Sequence, residues 1–537
     1  MKKILINQHN LILLFAILLL ISLNAIFIHG VLTPDYKTSI ILSSIGFSIF
    51  LVSATSISRI FFISFFITIL FFGSILAYFK FFFGINFSES ILESTLNTNY
   101  EEASTFINYE LIVWMIAFWF IPSVILIKKS NLLKIDFKRK ITISLLFSLL
   151  GAMIFYTPLL FLRSTNPIVF LQHMAAVNLY PASFINTFKI YYKHNKFRGN
   201  SEKVDVFENY KFKFNNKGVK IVLVLGESAR GDRFAINGYK RNVTPNLARI
   251  PNLISFTDVY SLGTYTIPGL KSIFKLHALE NENTFISIFN NLGFETSWMS
   301  MQSFVNDVNT IASEVQRLMT REIILQNNNY DIKDENLLPY LQRILRDNES
   351  RNQLIILHTQ GSHRTYDDRY SEEFKKYTPT CSAINERNAF KRIFNRQSCY
   401  YTVEANNSYD NSILYTDYVL SKMIDELKPY KAMFIYISDH GESLGENGIF
   451  LHSHKYETAP KEQVHIPYIL WFSEKLLQQN PDIKQNLEIA KNNTHKKVDQ
   501  STVIHSILDC IEVESNLINK RKSVCSSSLD DMAMLTK

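Results

Sequence analysis

Residues 431–447 read KAMFIYISDHGESLGEN. The apolar run to Ser438 predicts a β-strand buried on both faces. It ends on Asp439 and His440 and passes into an acidic turn broken by glycine. VKIVLVLG (219–226), NQLIILHT (352–359) and VHIPYILWF (464–472) have the same character. Between them, ENTFISIFNNLG (282–293) and NSILYTDYVLSKMIDELKPY (411–430) carry helical spacing. Strands alternating with helices predict an α/β domain with a mostly parallel central sheet and right-handed crossovers. In such sheets functional groups gather at the carboxyl ends of strands. That rule selects Glu227, His358, Asp439 and His440.

A glutamate, an aspartate and a histidine at neighbouring strand ends would make a metal site of hard oxygens and an imidazole, a mixture zinc accepts. Each acidic residue could equally cap a following helix, where the helix dipole favours a carboxylate. Spacing alone leaves both readings open. GES at 226–228 has the start of a hydrolase nucleophile elbow, but that motif is GxSxG and the chain continues GESAR, which argues against Ser228 as nucleophile.

The first third is different. The chain has 537 residues, enough for two or three domains, and its apolar residues, among them 22 of its 42 phenylalanines, crowd into residues 1–165. Five stretches, near 10–30, 38–58, 60–82, 109–127 and 141–162, are long enough to cross a bilayer. Five nearly uncharged runs predict an N-terminal five-helix transmembrane domain. The first is too long, and lacks the small-residue cleavage site, for a removable signal peptide. Lys2, Lys3, Arg59 and the loop KKSNLLKIDFKRK (128–140) mark the cytoplasmic side. Everything after residue 165 then lies outside, in the periplasm or at the cell surface.

The formal net charge of +8 owes much to that one loop. There is no arginine-rich groove or nucleic-acid motif, so nucleic acid is excluded as a partner. Loop 83–108 mixes apolar and acidic residues at helical spacing and reads as a short amphipathic helix or a simple connector. Residues 165–215 read as interfacial helices followed by a polar linker from 195. The expected domains are therefore 1–164, 165–215 and 216–537. Cys381, Cys399, Cys510 and Cys525 all lie in the last. Outside the cytoplasm, Cys381–Cys399 and Cys510–Cys525 are the natural bridges, among three pairings that four cysteines allow.

VLVLGESARGDRFAINGYKRNVTPNL (222–247) and YISDHGESLGENGIFLHSH (436–454) resemble the signature blocks of bacterial phosphoethanolamine transferases, which modify lipopolysaccharide and belong to the alkaline phosphatase superfamily with its sulfatase-like fold. The resemblance spans nearly the whole chain. It implies that Glu227, Asp439 and His440 hold Zn²⁺. It implies that Thr266, in SLGTYTIPG (261–269), is the nucleophile and also contacts zinc. His363 and His452 resemble histidines that bind the phosphoryl group or a second zinc; His358 and Glu442 admit a structural role equally. TPTC (378–381) resembles a family disulfide position. Thr98 and Glu102 fall where the family places lipid-contacting residues.

The chain departs from the pattern in two places. SLGTYTIPGLKS lacks the cysteines that often flank the nucleophile in lipid A-modifying members, and SWMSMQSFVNDVN (297–309) lacks their lysine. These departures weaken lipid A as acceptor and leave core sugars of lipopolysaccharide, or other periplasmic glycans, open. The implied donor is phosphatidylethanolamine. The implied location is the bacterial inner membrane, multi-pass, with the N-terminus cytoplasmic and the catalytic domain periplasmic. Two other readings stand beside this one. One is a phosphoglycerol transferase of the lipoteichoic-acid-synthase type, which the SDHGESLGEN block and the cysteines oppose. The other is a non-catalytic membrane binding module, which the full set Glu227, Thr266, Asp439 and His440 opposes. A sulfatase would need CxPxR, and none of the four cysteines begins one.

Overall fold

The structure, a computed structural model, describes residues 2–28, 34–98, 103–104, 106–129, 137–161, 180–198, 205–277, 282–302, 321–324, 333–347, 349–386 and 402–531. The chain forms two compact units. The first holds Met1–Leu92 and Phe106–His194; the second holds Glu93–Thr105, Asn195–Arg392 and Arg396–Lys537.

The first unit is helical. Its helices are α1 (Lys2–Ile28), α2 (Pro34–Thr55), α3 (Arg59–Phe83), α4 (Glu89–Asn97), α5 (Tyr109–Lys129, with a π-helical turn at Ile116–Phe120), α6 (Phe137–Phe161) and α7 (Ala182–Arg198); α4 and α7 run across the boundary. Among the described residues, α3 and α5 are long and apolar enough to cross a membrane, and α1, α2 and α6 carry shorter apolar stretches at Leu11–Phe27, Ile41–Thr55 and Ile141–Thr157. The Ser58 hydroxyl caps the start of α3, and Gly84, at φ +72°, ends it in the left-handed conformation.

Helices without polar faces must pack by shape. A Cβ on Gly46 of α2 would lie 2.2 Å from the Phe155 nitrogen, and one on Gly151 of α6 would lie 2.5 Å from the Phe50 nitrogen. Only glycine permits that backbone approach. Tyr180 ties α1 to α3: its N–H donates to Asn24 Oδ1 at 2.8 Å and its hydroxyl to the Ile69 carbonyl at 2.5 Å.

The second unit is built on a seven-stranded sheet. In chain order its strands are β1 (Val219–Gly226), β2 (Leu253–Phe256), β3 (Glu295–Ser300), β4 (Arg321–Ile324), β5 (Gln353–His358), β6 (Lys431–Ser438) and β7 (Tyr468–Phe472). Across the sheet the order is β2-β7-β6-β1-β5-β3-β4. The four pairings from β6 to β4 are parallel, whereas β7 runs antiparallel to both β6 and β2. The sheet is therefore mixed.

Period-two alternation loads both faces. Ile221, Leu223 and Leu225 of β1 enter one core, and Val222 and Val224 enter the other. α8 (Thr266–Phe274) and α11 (Thr502–Cys510) cover the first face; α9 (Leu338–Asp347) and α10 (Thr402–Leu427) cover the second.

Several expectations need correction. The strand expected over 464–472 begins only at Tyr468. Pro467 has no N–H to give a ladder, so pairing starts after it. β3 reads ETSWMS, too polar to look like a core strand, yet every residue of it is buried. The polar stretch from 195 is not all linker: Phe207 is buried in the core, and Phe212–Lys213 pairs antiparallel with Glu514–Ser515. Cys510 and Cys525 are bridged. The Cys381–Cys399 pairing lies outside the described residues, because Cys399 does.

Candidate active site

β1 and β6 are parallel neighbours in register, with Gly226 level with Ser438. The residues that follow them therefore emerge side by side: Glu227 and Ser228 from β1, Asp439 and His440 from β6. Asp439 N–H donates to the Gly226 carbonyl at 3.1 Å and locks the two strand ends together. Ser228 turns the chain sharply in the left-handed region, at φ +56°.

Above these strand ends sits the start of α8, with Thr266 as its first residue. A Cβ on Gly269 would lie 2.3 Å from the Asp439 carbonyl oxygen, so glycine lets the helix press against this turn. The partial positive charge of the helix N-terminus then falls beside the Thr266 hydroxyl.

Glu227, Asp439 and His440 each offer one ligand atom, all within 4.8 Å of one another. His440 Nε2 lies 3.2 Å from Glu227 Oε1 and 3.5 Å from Asp439 Oδ2. Thr266 Oγ1 lies 3.3 Å from Glu227 Oε2. The three clustered side chains are sealed from solvent. Among the described residues, Asp439 Oδ2 and His440 Nε2 meet no partner in good hydrogen-bond geometry and face only each other and Glu227 Oε1 as charges. Buried polar atoms are rarely left so, and the cost is high where the group is charged.

The protonation pattern follows from this crowding. Burial, and then the Glu227 charge, push the Asp439 carboxyl well above its usual range. Burial opposes a charged His440, but the Asp439 and Glu227 carboxylates overcome it and raise the imidazole to about 10. Burial also opposes the Glu227 charge, yet the adjoining His440, helped by His363 and His452, holds that carboxyl well below its ordinary value. Without a cation, the proton on His440 does the neutralising, and a divalent ion could replace it. The donor set of two carboxylates and one imidazole, with a hydroxyl alongside, matches zinc chemistry.

His363 and His452 line the rim. Their ring centroids are 6.2 Å apart, and His452 lies 4.3 Å from the His440 ring. Glu442 stands behind His452: its Oε2 is 2.7 Å from His452 Nδ1, and its Oε1 accepts from the Tyr366 hydroxyl at 2.7 Å. His358 lies outside the triad, where burial lowers its pKa to about 4 and keeps it neutral. Its Nδ1 is 3.2 Å from Ser300 Oγ. Thr98 bonds back to its own helix, at Ser94 O, and Glu102 lies outside the described residues.

Sequence reading missed four contacts. The Ser228 hydroxyl donates to Glu227 Oε1 at 2.8 Å, and Gln302 Nε2 donates to Glu227 Oε2 at 3.1 Å. The Tyr265 hydroxyl, next to Thr266, donates to the Glu93 carboxylate. Ser94 Oγ is 3.0 Å from Ser453 Oγ. The last two belong to the stretch read as an amphipathic helix or a connector, and its helical spacing was their one signal. Nothing in the local sequence marked Gln302.

Fold and site together define an α/β domain that brings a metal-capable acid–imidazole cluster to a threonine at a helix N-terminus. A family profile described as Sulfatase matches residues 220–513, and one described as Phosphoethanolamine transferase EptA/EptB matches residues 45–195. The chain belongs to the sulfatase family, as a phosphoethanolamine transferase of the alkaline phosphatase/sulfatase superfamily.

Among its relatives, phosphoethanolamine transferase EptA of Helicobacter pylori is 29% identical over 469 residues, which cover 81% of this chain and 79% of that one. Kdo(2)-lipid A phosphoethanolamine 7''-transferase of Escherichia coli is 32% identical over 57% of this chain and 54% of its own. The integral membrane lipooligosaccharide phosphoethanolamine transferase A of Neisseria meningitidis shares the fold across 96% of this chain and 98% of its own, with a TM-score of 0.76 at 22% identity. The C-terminal periplasmic domain of EcEptC from Escherichia coli, solved as a complex with Zn, covers 60% of this chain and 90% of its own, at 25% identity and a TM-score of 0.51.

Proposed function

We propose that the chain moves phosphoethanolamine from phosphatidylethanolamine to lipopolysaccharide, through a covalent phosphothreonine at Thr266. The carrying observation is the juxtaposition of Thr266 with the buried Glu227, Asp439 and His440, two of whose ligand atoms lack hydrogen bonds. Glu227, Asp439 and His440 would hold a zinc ion, with Thr266 as the fourth contact. Zinc held there would lower the pKa of the threonine hydroxyl and offset phosphoryl charge.

In the first step the Thr266 O–H proton passes to a rim histidine as Oγ forms a bond to phosphorus. The bond from phosphorus to the diacylglycerol oxygen breaks, and that oxygen leaves with the proton from the histidine. In the second step an acceptor oxygen takes the phosphoryl group and gives up its proton through the same histidine to Thr266 Oγ, which is released as a hydroxyl. His363 and His452, on the rim, steady the phosphoryl oxygens and protonate the leaving oxygen. Glu442 holds the His452 ring through Nδ1, which directs Nε2 at the reaction.

A lipid donor explains a catalytic domain tethered to a bilayer. The apolar stretches in α1, α2, α3, α5 and α6 form five spans in a transmembrane domain over 1–164, joined through interfacial residues 165–215 to a periplasmic catalytic domain over 216–537. The N-terminus is cytoplasmic and the membrane is the bacterial inner membrane. The names of the Helicobacter and Escherichia relatives support the reaction and the lipopolysaccharide acceptor. Core sugar and lipid A phosphate are the two acceptor positions to separate.

The test is Thr266→Ala in cells, read by mass spectrometry of lipopolysaccharide. The parent chain adds phosphoethanolamine units, and fragment masses assign them to lipid A or core. The variant should lose transfer by on the order of a thousandfold or more. Undiminished transfer would defeat the covalent route.

A further inference from the structure

Gln302 stands two residues past the end of β3, outside both signature blocks. Its carboxamide nitrogen lies 3.1 Å from Glu227 Oε2 and 2.8 Å from the Thr359 carbonyl oxygen. Both neighbours are pure acceptors, so the amide must present its nitrogen there, and each of its two hydrogens is committed.

The supports of this bridge are themselves fixed. The Thr359 N–H and hydroxyl both donate to the Leu225 carbonyl, at 3.1 and 2.9 Å. Gln302 N–H donates to Ser300 Oγ at 3.0 Å, and that hydroxyl donates back to the Gln302 carbonyl at 2.9 Å. The carboxamide thus joins the ends of three strands, β1, β3 and β5, at one carboxylate.

Glu227 has two oxygens with different surroundings. Oε2 faces Gln302 and the Thr266 hydroxyl. Oε1 accepts from Ser228 Oγ at 2.8 Å and lies 3.2 Å from His440 Nε2. It therefore faces the side where Asp439 Oδ2 and His440 Nε2 have no hydrogen bond. A carboxylate free to rotate could grip an ion with both oxygens, or swing away from it. The amide bridge removes that freedom.

We infer that Gln302 is a positioning residue, whose carboxamide anchors Glu227 Oε2 so that Glu227 offers a cation the single oxygen Oε1. Oε2 then remains the acceptor that aims the Thr266 hydroxyl. This rests on the reading of Glu227, Asp439 and His440 as metal ligands. Outer partners that orient a metal-binding side chain commonly govern affinity by tenfold or more.

The experiment uses the full chain purified in detergent, with zinc alone as the probe and a chromogenic chelator as competitor. Gln302→Met keeps the length and removes the donor. Zinc affinity should fall by roughly 10- to 100-fold, while the metal-free protein keeps a cooperative unfolding transition that shows it folded. Ser300→Ala leaves the carboxamide intact but removes the hydroxyl beneath its backbone; a smaller loss in the same direction is expected. If Gln302→Met does not fold, Ser300→Ala decides alone. If the parent binds zinc and the folded variants bind it equally well, the inference is wrong and the ligand set stands. If the parent binds no zinc, the ligand set itself is wrong and this inference falls with it.

Discussion

Around Asp410, three arginines meet three carboxylates. Arg230 forks onto Asp232 at 2.8 and 2.9 Å and reaches Glu446 at 2.6 Å, while Arg233 and Arg241 bind the two oxygens of Asp410 at 3.3 and 2.8 Å. The Tyr239 hydroxyl completes that carboxylate at 2.8 Å. Around Asp439 the ingredients are similar but there is no arginine, and two buried ligand atoms have no hydrogen bond. Both clusters pack against the same sheet. The first is electrically closed and needs nothing more. The second has an excess of acceptors and a raised imidazole, which is the state of a site built for something it must bind. Burial of charge does not itself mark function; the convergence of ligand atoms from three side chains, two of those atoms unpartnered, does.

Substitution separates the two most sharply. Asp439→Asn should weaken zinc binding by well over the roughly 100-fold that loss of an outer partner costs, because it removes a ligand oxygen. Chelator competition on the purified full chain measures this. An affinity unchanged within about twofold would mean that the unpartnered oxygen of Asp439 is not a ligand, and the contrast between the clusters would lose its functional meaning.

Proton competition gives the next largest effect. His440, raised to about 10 by the two carboxylates beside it, holds a proton at neutral pH when no ion is present. Binding must expel it, so affinity rises with pH until about the His440 value and falls as pH drops. That proton contributes about tenfold per pH unit. Calorimetry in buffers of different ionisation enthalpy counts the protons. Binding that releases none would contradict the protonation pattern derived for the cluster.

The two clusters were unequally legible from sequence. Asp439 and His440 follow the most obvious strand in the chain, and Glu227 follows its neighbour. Strand-end position plus residue type was enough to bring them together, and the resemblance added Thr266. The Asp410 network carries no such mark. Its arginines lie in the turns after β1, and Asp410 lies within α10 one residue before the stretch 411–430 in which helical spacing was read. Which arginine meets which carboxylate depends on loop paths that local propensity does not encode. Gln302 was hidden for the same reason. It lies two residues past a strand whose polar sequence, ETSWMS, conceals full burial. The mixed sheet was partly hidden too, since an apolar strand looks the same whichever way it runs. Of the five apolar runs read as spans, α3 and α5 are long and apolar enough among the described residues, two properties that the bilayer constrains.

The closed cluster supplies the smallest and most discriminating effect. Asp410 is fully buried, and two arginines and a tyrosine depend on it. Asp410→Asn removes the charge but little volume, and leaves Arg233 and Arg241 short of a counter-ion. Breaking one side of a buried pair costs on the order of 3–5 kcal/mol. Arg241 is partly exposed and can recruit water, so the loss should fall at the lower end of that range. Denaturant unfolding of the full chain in detergent reads it. Zinc affinity should hold within about twofold, because Asp410 shares no partner with Glu227, Asp439 or His440. The pair of measurements makes a double dissociation: Asp439→Asn moves binding, and Asp410→Asn moves stability. If Asp410→Asn weakened zinc binding as strongly as it weakened the fold, the two clusters would be one coupled network. Their different degrees of completion would then say nothing about which of them binds.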